Sequence, residues 1–280
     1  MTKMDRTIDG RLAEVVDNRA KRISYAVVGW LSFAVIMAVG CFASGQGPTT
    51  VWRVKIVATY PHDPEAYTQG LAIEGGKCYE GTGKYGKSEL RQVELETGRV
   101  VKSLPLDGQY FGEGITILRG KVYQLTWKEQ ICFVTDLKSF QCNEYHRYRH
   151  EGWGITHNGR DLIVSDGTST LRFLDPATFQ ERRTLSVREG KQRVNQLNEL
   201  EFIDNEIWAN IWYEDRIVRI SPETGSVLGS IDLSDVFPAR LRLDRDHVLN
   251  GIAQDPVSRK IYVTGKNWPK LYEIAIVKQR

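Results

Sequence analysis

Residues 114–138 read GITILRGKVYQLTWKEQICFVTDLK. Three short runs rich in β-branched and aromatic residues are separated here by Arg-Gly and by Lys-Glu-Gln, which are turn-like sequences. The rest of the chain after residue 51 has the same character, with no long segment of helical apolar period. The stretch therefore predicts three consecutive antiparallel strands joined by tight turns.

The start of this stretch recurs along the chain. Five segments begin with Gly or Glu followed by Leu or Ile, at intervals of 44, 40, 45 and 52 residues: Gly70-Leu-Ala-Ile, Gly114-Ile-Thr-Ile, Gly154-Ile-Thr-His, Glu199-Leu-Glu-Phe and Gly251-Ile-Ala-Gln. Each is followed by a polar turn, a second strand and a third strand that ends in a turn. Repeats of this length are typical of β-propellers, in which each repeat forms one blade of four strands.

The repeats predict an all-β fold, a five-bladed β-propeller. The fifth repeat ends near the C-terminus and lacks an outer strand, which residues 51–56 can supply, so that the two chain ends close the ring. Closure also removes the long exposed sheet edges of an open sheet. A β-sandwich is the alternative, and five matched repeats disfavour it.

The N-terminal part is of a different kind. Residues 1–23 form a polar arm with six Lys or Arg against four Asp or Glu, and residues 25–43 carry no charge. We expect residues 24–43 to be a signal anchor or a cleaved signal peptide, with the basic arm in the cytoplasm. Lipidation at Cys41 is a weaker possibility. Residues 44–50 are then a linker, and residues 51–280 are an exported domain, periplasmic if the cell is bacterial.

The charge and the cysteine spacing argue against a nucleic-acid binding protein and against a zinc site. The net charge is +3, and the arm supplies two of these charges, so the domain lacks the basic surface of a nucleic-acid binding protein. No cysteine spacing is typical of a zinc site. Cys132 and Cys142 flank a predicted hairpin turn, and export would allow a disulfide between them. The sequence is equally compatible with Cys132 and Cys142 being two small strand residues that do not form a disulfide.

Two sets of equivalent positions indicate a site. The residues just before the five repeat starts surround the predicted channel, and they are Gln69, Glu113, Trp153, Asn198 and Asn250. A second set follows the second strands, and it comprises Gly83, Trp127, Gly167, Trp212 and Lys266. We expect the second set near the opening of the hairpin, from where long side chains could still reach the same mouth. Polar and aromatic residues at repeated positions are typical of a binding site rather than of packing.

The chemistry of these positions is restricted. The two sets contain a single carboxylate, which does not fit the paired acids of a glycosidase. None of the five histidines is in either set, so a Ser-His-Asp triad is not indicated. Glu113 lies between Gly112 and Gly114, and we expect these glycines to give the backbone an unusual path that exposes the carboxylate. Proton transfer by Glu113 on a small polar substrate is therefore predicted.

The chain resembles the plant and bacterial glutamine cyclotransferases from about residue 54 to residue 273. Nine motifs carry the resemblance in order, among them Tyr-Phe-Gly-Glu-Gly at 110–114, and they lie at residues 60–71, 81–91, 110–114, 125–128, 151–154, 165–168, 197–201, 248–253 and 263–269. Two departures are mild: Tyr67 stands where Phe is usual, and Gly81 replaces a common Ser. The first could alter the polarity of the pocket, and the second is expected to affect only a turn.

The resemblance implies a five-bladed propeller enzyme that converts N-terminal glutamine of peptides and proteins to pyroglutamate, without a cofactor or a catalytic zinc. It implies that Glu113 is the catalytic acid, and we expect the same carboxyl group to act as the base that takes the proton from the substrate amine. The implied substrate contacts are Gln69, Phe111, Trp127, Trp153, Asn198, Trp212 and Lys266. We expect a monomer. A non-catalytic exported propeller that binds peptides or glycans at the same mouth is the alternative.

Overall fold

The computed structural model of the chain describes residues 50–278. In this part of the chain the regular structure consists of 22 β-strands and one short 3-10 turn, Ala239–Leu241. The prediction of an all-β fold is therefore confirmed. Residues 1–49, with the predicted arm, the apolar segment and nearly all of the linker, lie outside the described residues.

Three four-stranded antiparallel sheets have strands in chain order. The first contains β2 (Thr68–Glu74), β3 (Lys77–Thr82), β4 (Glu89–Glu94) and β5 (Arg99–Pro105). The second contains β6 (Gly112–Leu118), β7 (Lys121–Thr126), β8 (Ile131–Asp136) and β9 (Gln141–Arg147). The third contains β10 (Ile155–His157), β11 (Leu162–Ser165), β12 (Thr170–Leu174) and β13 (Glu181–Ser186).

The remaining strands form a small hairpin and an eight-stranded sheet. The hairpin pairs β14 (Arg188–Glu189) with β15 (Gln192–Arg193). The large sheet has the order β16-β17-β18-β19-β1-β22-β21-β20. Its strands are β1 (Val51–Pro61), β16 (Leu197–Ile203), β17 (Glu206–Ile211), β18 (Arg216–Ile220), β19 (Val227–Asp232), β20 (Leu249–Gln254), β21 (Ile261–Gly265) and β22 (Lys270–Lys278).

Strand β1 joins the two ends of the chain, as predicted. It pairs antiparallel with β22 along nearly its whole length, from Trp52 opposite Lys278 to Pro61 opposite Lys270. Its first residues also pair in parallel with β19. The second pairing was not predicted, and it is the reason that two four-stranded groups merge into one sheet.

The first strands of the repeats contact one another in a closed series: β2 packs against β6 and β20, β10 packs against β6 and β16, and β16 packs against β20. The repeated glycines allow this approach. A Cβ atom on Gly114 would lie 2.7 Å from the carbonyl oxygen of Trp153, and Gly70 and Gly154 are as tightly enclosed by the backbone of the next strand. A side chain at these positions would push the inner strands apart.

Glu199 takes the place of the glycine in the fourth repeat and has a structural role. Its carboxyl group accepts hydrogen bonds from the backbone N–H groups of Leu71 (3.3 Å) and Ile252 (2.9 Å). One side chain thus ties β16 to β2 and to β20. Burial raises its pKa well above the ordinary value for a glutamic acid.

The core lies between neighbouring sheets. Ile163, Leu171 and Phe173 of the third sheet, for example, belong to one apolar cluster with Leu200 and Val218 of the large sheet. Burial of such faces supplies the main driving force for folding.

The β8–β9 hairpin forms as predicted, but its register separates the two cysteines. Cys132 is opposite His146, and Cys142 is opposite Thr135, because the turn does not lie midway between the two cysteines. Both are free thiols; Cys132 is buried and Cys142 is exposed. The possible disulfide is therefore not formed.

Within residues 50–278 no helix has the length and hydropathy needed to cross a bilayer.

Candidate active site

One cavity, of about 180 Å³, brings together Glu113 and all seven substrate contacts that the family resemblance implied. It is lined by Tyr67, Gln69, Lys84, Phe111, Glu113, Trp127, Trp153, Asn198, Trp212 and Lys266. Pockets for drug-sized ligands are larger, at about 300–1,000 Å³. The cavity therefore suits a single amino-acid side chain with its neighbouring peptide group.

The two predicted sets of positions meet because the strands that carry them are paired. Antiparallel pairing places Gly112, at the start of β6, opposite Thr126, at the end of β7. The residues that follow second strands, such as Trp127, are consequently next to the residues that begin first strands. The long side chains of the second set do reach the same mouth, because in an antiparallel pair the end of one strand is beside the start of the other.

Two glycines of the second set make room for aromatic side chains. A Cβ atom on Gly83 would lie 2.9 Å from Cζ of Phe111, and one on Gly167 would lie 2.6 Å from the ring of Trp153. Gly167 also has a φ of +78°, which favours glycine. Gly83 and Gly167 thus shape the cavity because they have no side chain that would displace Phe111 and Trp153.

Asn250 is the one position of the first set that does not line the cavity. It is fully buried and donates through Nδ2 to the carbonyl oxygen of Thr68 (2.9 Å) and to Oε1 of Gln69 (3.4 Å). It therefore holds the side-chain oxygen of Gln69, a residue that lines the cavity.

Glu113 is buried, with 5% of its surface exposed, so the expectation of an exposed carboxylate is wrong. The flanking glycines have no positive φ. They serve close packing instead: a Cβ atom on Gly112 would lie 2.6 Å from the carbonyl oxygen of Thr82. The glycines therefore let two strands close around Glu113.

Burial changes the ionisation of two charged groups in the cavity, Glu113 and Lys266. It raises the pKa of Glu113 well above its ordinary value, and the negative charges of Glu129 and Glu151 add to this rise, while Lys266 opposes it. Burial lowers the pKa of Lys266 to about 8, against the opposing effect of Glu113. Both groups are thus brought closer to neutrality near physiological pH, where proton transfer is easiest.

Aromatic rings form the walls of the cavity. Phe111 and Trp127 meet edge to face with ring centres 5.6 Å apart, and Trp153 and Trp212 do so at 5.3 Å. Tyr213 supports Trp212 from outside by stacking on it at 4.4 Å. Such contacts stabilise one arrangement of the rings.

Sequence reasoning missed several residues at the site. Lys84 lines the cavity and places Nζ 3.8 Å from the ring centre of Tyr67, which also has Lys266 at 4.7 Å. Lys84 was within reach of the sequence argument, because it follows Gly83. Tyr67, which the family resemblance already linked to the polarity of the pocket, lines the cavity. The sequence contains no signal for Glu151 and Glu129, whose charges raise the pKa of Glu113, because neither residue is at an equivalent position of the repeats.

Gly81 is also more constrained than its sequence suggested. It lies within β3 and not in a turn, and a Cβ atom there would lie 2.9 Å from the carbonyl oxygen of Glu113. A serine at this position would therefore require the strand that carries Glu113 to move.

The polar groups that line the cavity are one carboxyl group, two amines, two carboxamides, one phenol and three indoles, with no His or Cys. Elsewhere in residues 50–278, too, no three side chains of His, Cys, Asp or Glu converge in a manner that could hold a metal ion.

Residues 32–276 match the family described as glutamine cyclotransferase. The chain belongs to the glutamine cyclotransferase family. Over 228 residues it is 44% identical to the glutaminyl-peptide cyclotransferase of Arabidopsis thaliana, an alignment that covers 80% of this chain and 71% of the relative. It also resembles the crystal structure of Myxococcus xanthus glutaminyl cyclase, with a TM-score of 0.79 and 36% identity over 84% of this chain and all of the other.

Proposed function

We propose that the cavity binds the N-terminal glutamine of a peptide and that Glu113 moves one proton within it, from the attacking amine to the leaving nitrogen. The activity itself, glutaminyl-peptide cyclotransferase, follows from the family and its relatives. The observation that carries the assignment to Glu113 is its burial in the cavity with a raised pKa beside Lys266.

The reaction is an intramolecular acyl transfer. The α-amine of the substrate attacks the side-chain carboxamide carbon, the new C–N bond closes the ring, and the bond to the carboxamide nitrogen breaks to release ammonia. An α-amine has a pKa of roughly 7.7–8.0, so much of it is protonated at neutral pH. Glu113 accepts a proton from this amine and returns it to the departing nitrogen, so its protonation state is unchanged after one turnover. General acid–base catalysis of this kind contributes about 10²–10⁴-fold.

Ring closure requires the glutaminyl side chain to fold back on its own amine. The faces of Phe111, Trp127 and Trp153 can hold the methylene groups in this compact shape and exclude water. Holding reacting groups in a near-attack geometry removes much of the entropic part of the barrier.

Four polar side chains of the cavity are suited to the polar groups of the substrate. Trp212 Nε1 and Asn198 Oδ1 are buried and have no hydrogen-bond partner among residues 50–278. Gln69, whose oxygen is held by Asn250, can donate through its amide nitrogen. We assign Gln69 and Lys266 to the oxyanion that develops on the carboxamide carbon, and Trp212 and Asn198 to the first peptide group of the substrate.

Ammonia release from a glutaminyl dipeptide tests the proposal. The purified chain should release ammonia and form pyroglutamate both before and after treatment with a metal chelator, and Glu113→Gln should fold but release almost none. Binding of the dipeptide without any release would instead favour the non-catalytic binding protein. Loss of release on chelation alone would overturn the assignment of the chemistry to Glu113.

The finer architecture is also a proposal. Counting the eight-stranded sheet as two four-stranded blades gives five blades, and the closed series of contacts among β2, β6, β10, β16 and β20 supports this count. We further propose a monomer that acts outside the cytoplasm, held by residues 24–43 or released after cleavage. Membrane fractionation of the full chain, compared with a chain that begins at residue 44, tests the anchoring.

A further inference from the structure

Glu151 lies in the segment between β9 and β10, behind the aromatic wall and not on the surface of the cavity. Its Oε2 atom accepts hydrogen bonds from Nε1 of Trp127 (2.8 Å) and from Nε1 of Trp153 (3.1 Å). Trp127 follows β7 of the second sheet, and Trp153 precedes β10 of the third. One carboxylate oxygen therefore joins aromatic side chains from two different sheets.

The backbone around Glu151 leaves this carboxylate little freedom. The N–H of Gly152 donates to the carbonyl oxygen of Trp127 (3.0 Å), and the N–H of Trp153 donates to that of Ser165 (3.0 Å). The carbonyl oxygen of Glu151 is 2.7 Å from Nδ1 of His150. A side chain on a segment fixed at so many points is pre-organised to hold the two indoles.

The three tryptophans of the cavity differ in the use of their N–H groups. Those of Trp127 and Trp153 are both bound to Glu151, whereas Nε1 of Trp212 is buried without a partner among residues 50–278. The indole N–H groups of Trp127 and Trp153 are therefore already used by Glu151, whereas that of Trp212 has no acceptor in this part of the chain.

We propose that Glu151 is a positioning residue for the cyclisation: by binding both indole N–H groups it fixes two walls of the cavity at the separation and tilt that fold the glutaminyl side chain. Charge-assisted hydrogen bonds are stronger than neutral ones, so a carboxylate suits this task better than a carboxamide. The inference rests on the proposed function, since it concerns the same cavity, but its test does not depend on the role of Glu113.

Glu151 also acts on the ionisation of Glu113. Besides burial, the charged groups that act on the pKa of Glu113 are Lys266, which lowers it, and Glu129 and Glu151, which raise it. Loss of either negative charge should lower the pKa of Glu113 and move the acidic limb of the pH profile of kcat/KM to lower pH. Only the loss of Glu151 should also disturb the indoles.

The experiment compares Glu151→Ala and Glu151→Gln with the matched control Glu129→Gln. In Glu151→Ala we expect the KM for a glutaminyl dipeptide to rise about tenfold, kcat to fall less, and the tryptophan emission spectrum to shift. Glu151→Gln, which keeps one acceptor oxygen, should show a smaller rise in KM with the acidic limb at lower pH. Glu129→Gln should move the limb in the same direction while KM stays within about twofold and the emission spectrum is unchanged.

A double-mutant cycle with Trp153→Phe separates positioning from general destabilisation. Phenylalanine lacks the N–H, so Glu151→Ala should raise KM by a clearly smaller factor in the Trp153→Phe chain than in the parent. Equal factors in both backgrounds, or a parental KM and emission spectrum in Glu151→Ala, would overturn the inference. If Glu151→Ala does not fold, Glu151→Gln replaces it in the double-mutant cycle with Trp153→Phe.

The two proposals fail in different ways. Full turnover by Glu113→Gln would remove the proton-shuttle role and leave the coupling between Glu151 and Trp153 to be measured through dipeptide binding. Additive effects in the cycle, together with an inactive Glu113→Gln, would remove the positioning role alone.

Discussion

Replacement of Lys266 by methionine should make the protein more stable and less active. Lys266 is 3% exposed, and no carboxylate oxygen within residues 50–278 forms a salt bridge with it. Its pKa falls from 10.5 to about 8 because burial penalises the ammonium form. At about 1.4 kcal/mol for each pH unit, this corresponds to about 3 kcal/mol of stability lost at pH 7. Methionine has a similar length and no charge.

The sign of the effect depends on pH. The unfolded chain holds the proton of Lys266 up to about pH 10.5, whereas the folded chain releases it near pH 8. The free energy of unfolding of the parent should therefore rise between these values. Lys266→Met should thus be more stable than the parent by up to about 3 kcal/mol at pH 7, or about 6–12 °C in Tm, and by much less at pH 10.5.

Thermal or urea unfolding at both pH values measures this difference. The exposed Lys77→Met serves as the control and should change the free energy of unfolding by less than about 0.5 kcal/mol. If Lys266 donates to the oxyanion, kcat should fall about 10²–10³-fold in Lys266→Met. A destabilised variant at pH 7, or a stabilisation that is equal at both pH values, would refute this account of the cavity.

Three further predictions follow from single contacts. Lys84→Glu should reduce kcat/KM for a dipeptide with an acidic second residue by about fivefold relative to a neutral one, because an exposed ammonium contributes about 1 kcal/mol or less; an unchanged ratio places Lys84 out of reach of that residue. Glu80, with a pKa lowered to about 2, binds the buried Arg91 through two hydrogen bonds of 2.8 and 2.9 Å. Its stabilisation should be complete above about pH 4.5 and lost as the pH falls toward 2, and Glu80→Gln should cost about 3–5 kcal/mol at pH 7 in urea unfolding and lack this acid-dependent loss. Gly167→Ala should lower kcat/KM on the order of tenfold, because the new Cβ would displace the ring of Trp153; parental kinetics would show that the ring can shift without consequence.

Repetition made much of the site accessible from the sequence. Because equivalent residues of a repeat occupy equivalent places, the sequence alone places Glu113 and Trp153 at one opening. Repetition also predicted that β1 would pair with β22, although it did not predict the added pairing of β1 with β19.

The same reasoning failed where contacts cross between repeats. The hydrogen bonds of Glu151 to Trp127 and Trp153 join separate sheets, and no periodicity in the chain indicates them. Asn250 has the position of a site residue but turns to support Gln69. The exposure expected for Glu113 was wrong because its flanking glycines serve close packing of strands, a function that the sequence does not distinguish from an unusual backbone path.

The central claim is that the carboxyl group of Glu113 carries one proton from amine to leaving nitrogen. The most direct measurement is the single-turnover rate of pyroglutamate formation from a glutaminyl dipeptide by Glu113→Gln, with the dissociation constant of the dipeptide measured alongside. The account predicts a rate reduced by about 10²-fold or more with binding changed only slightly, since glutamine keeps the shape of the side chain and cannot accept the proton. A rate close to that of the parent at unchanged binding would contradict it.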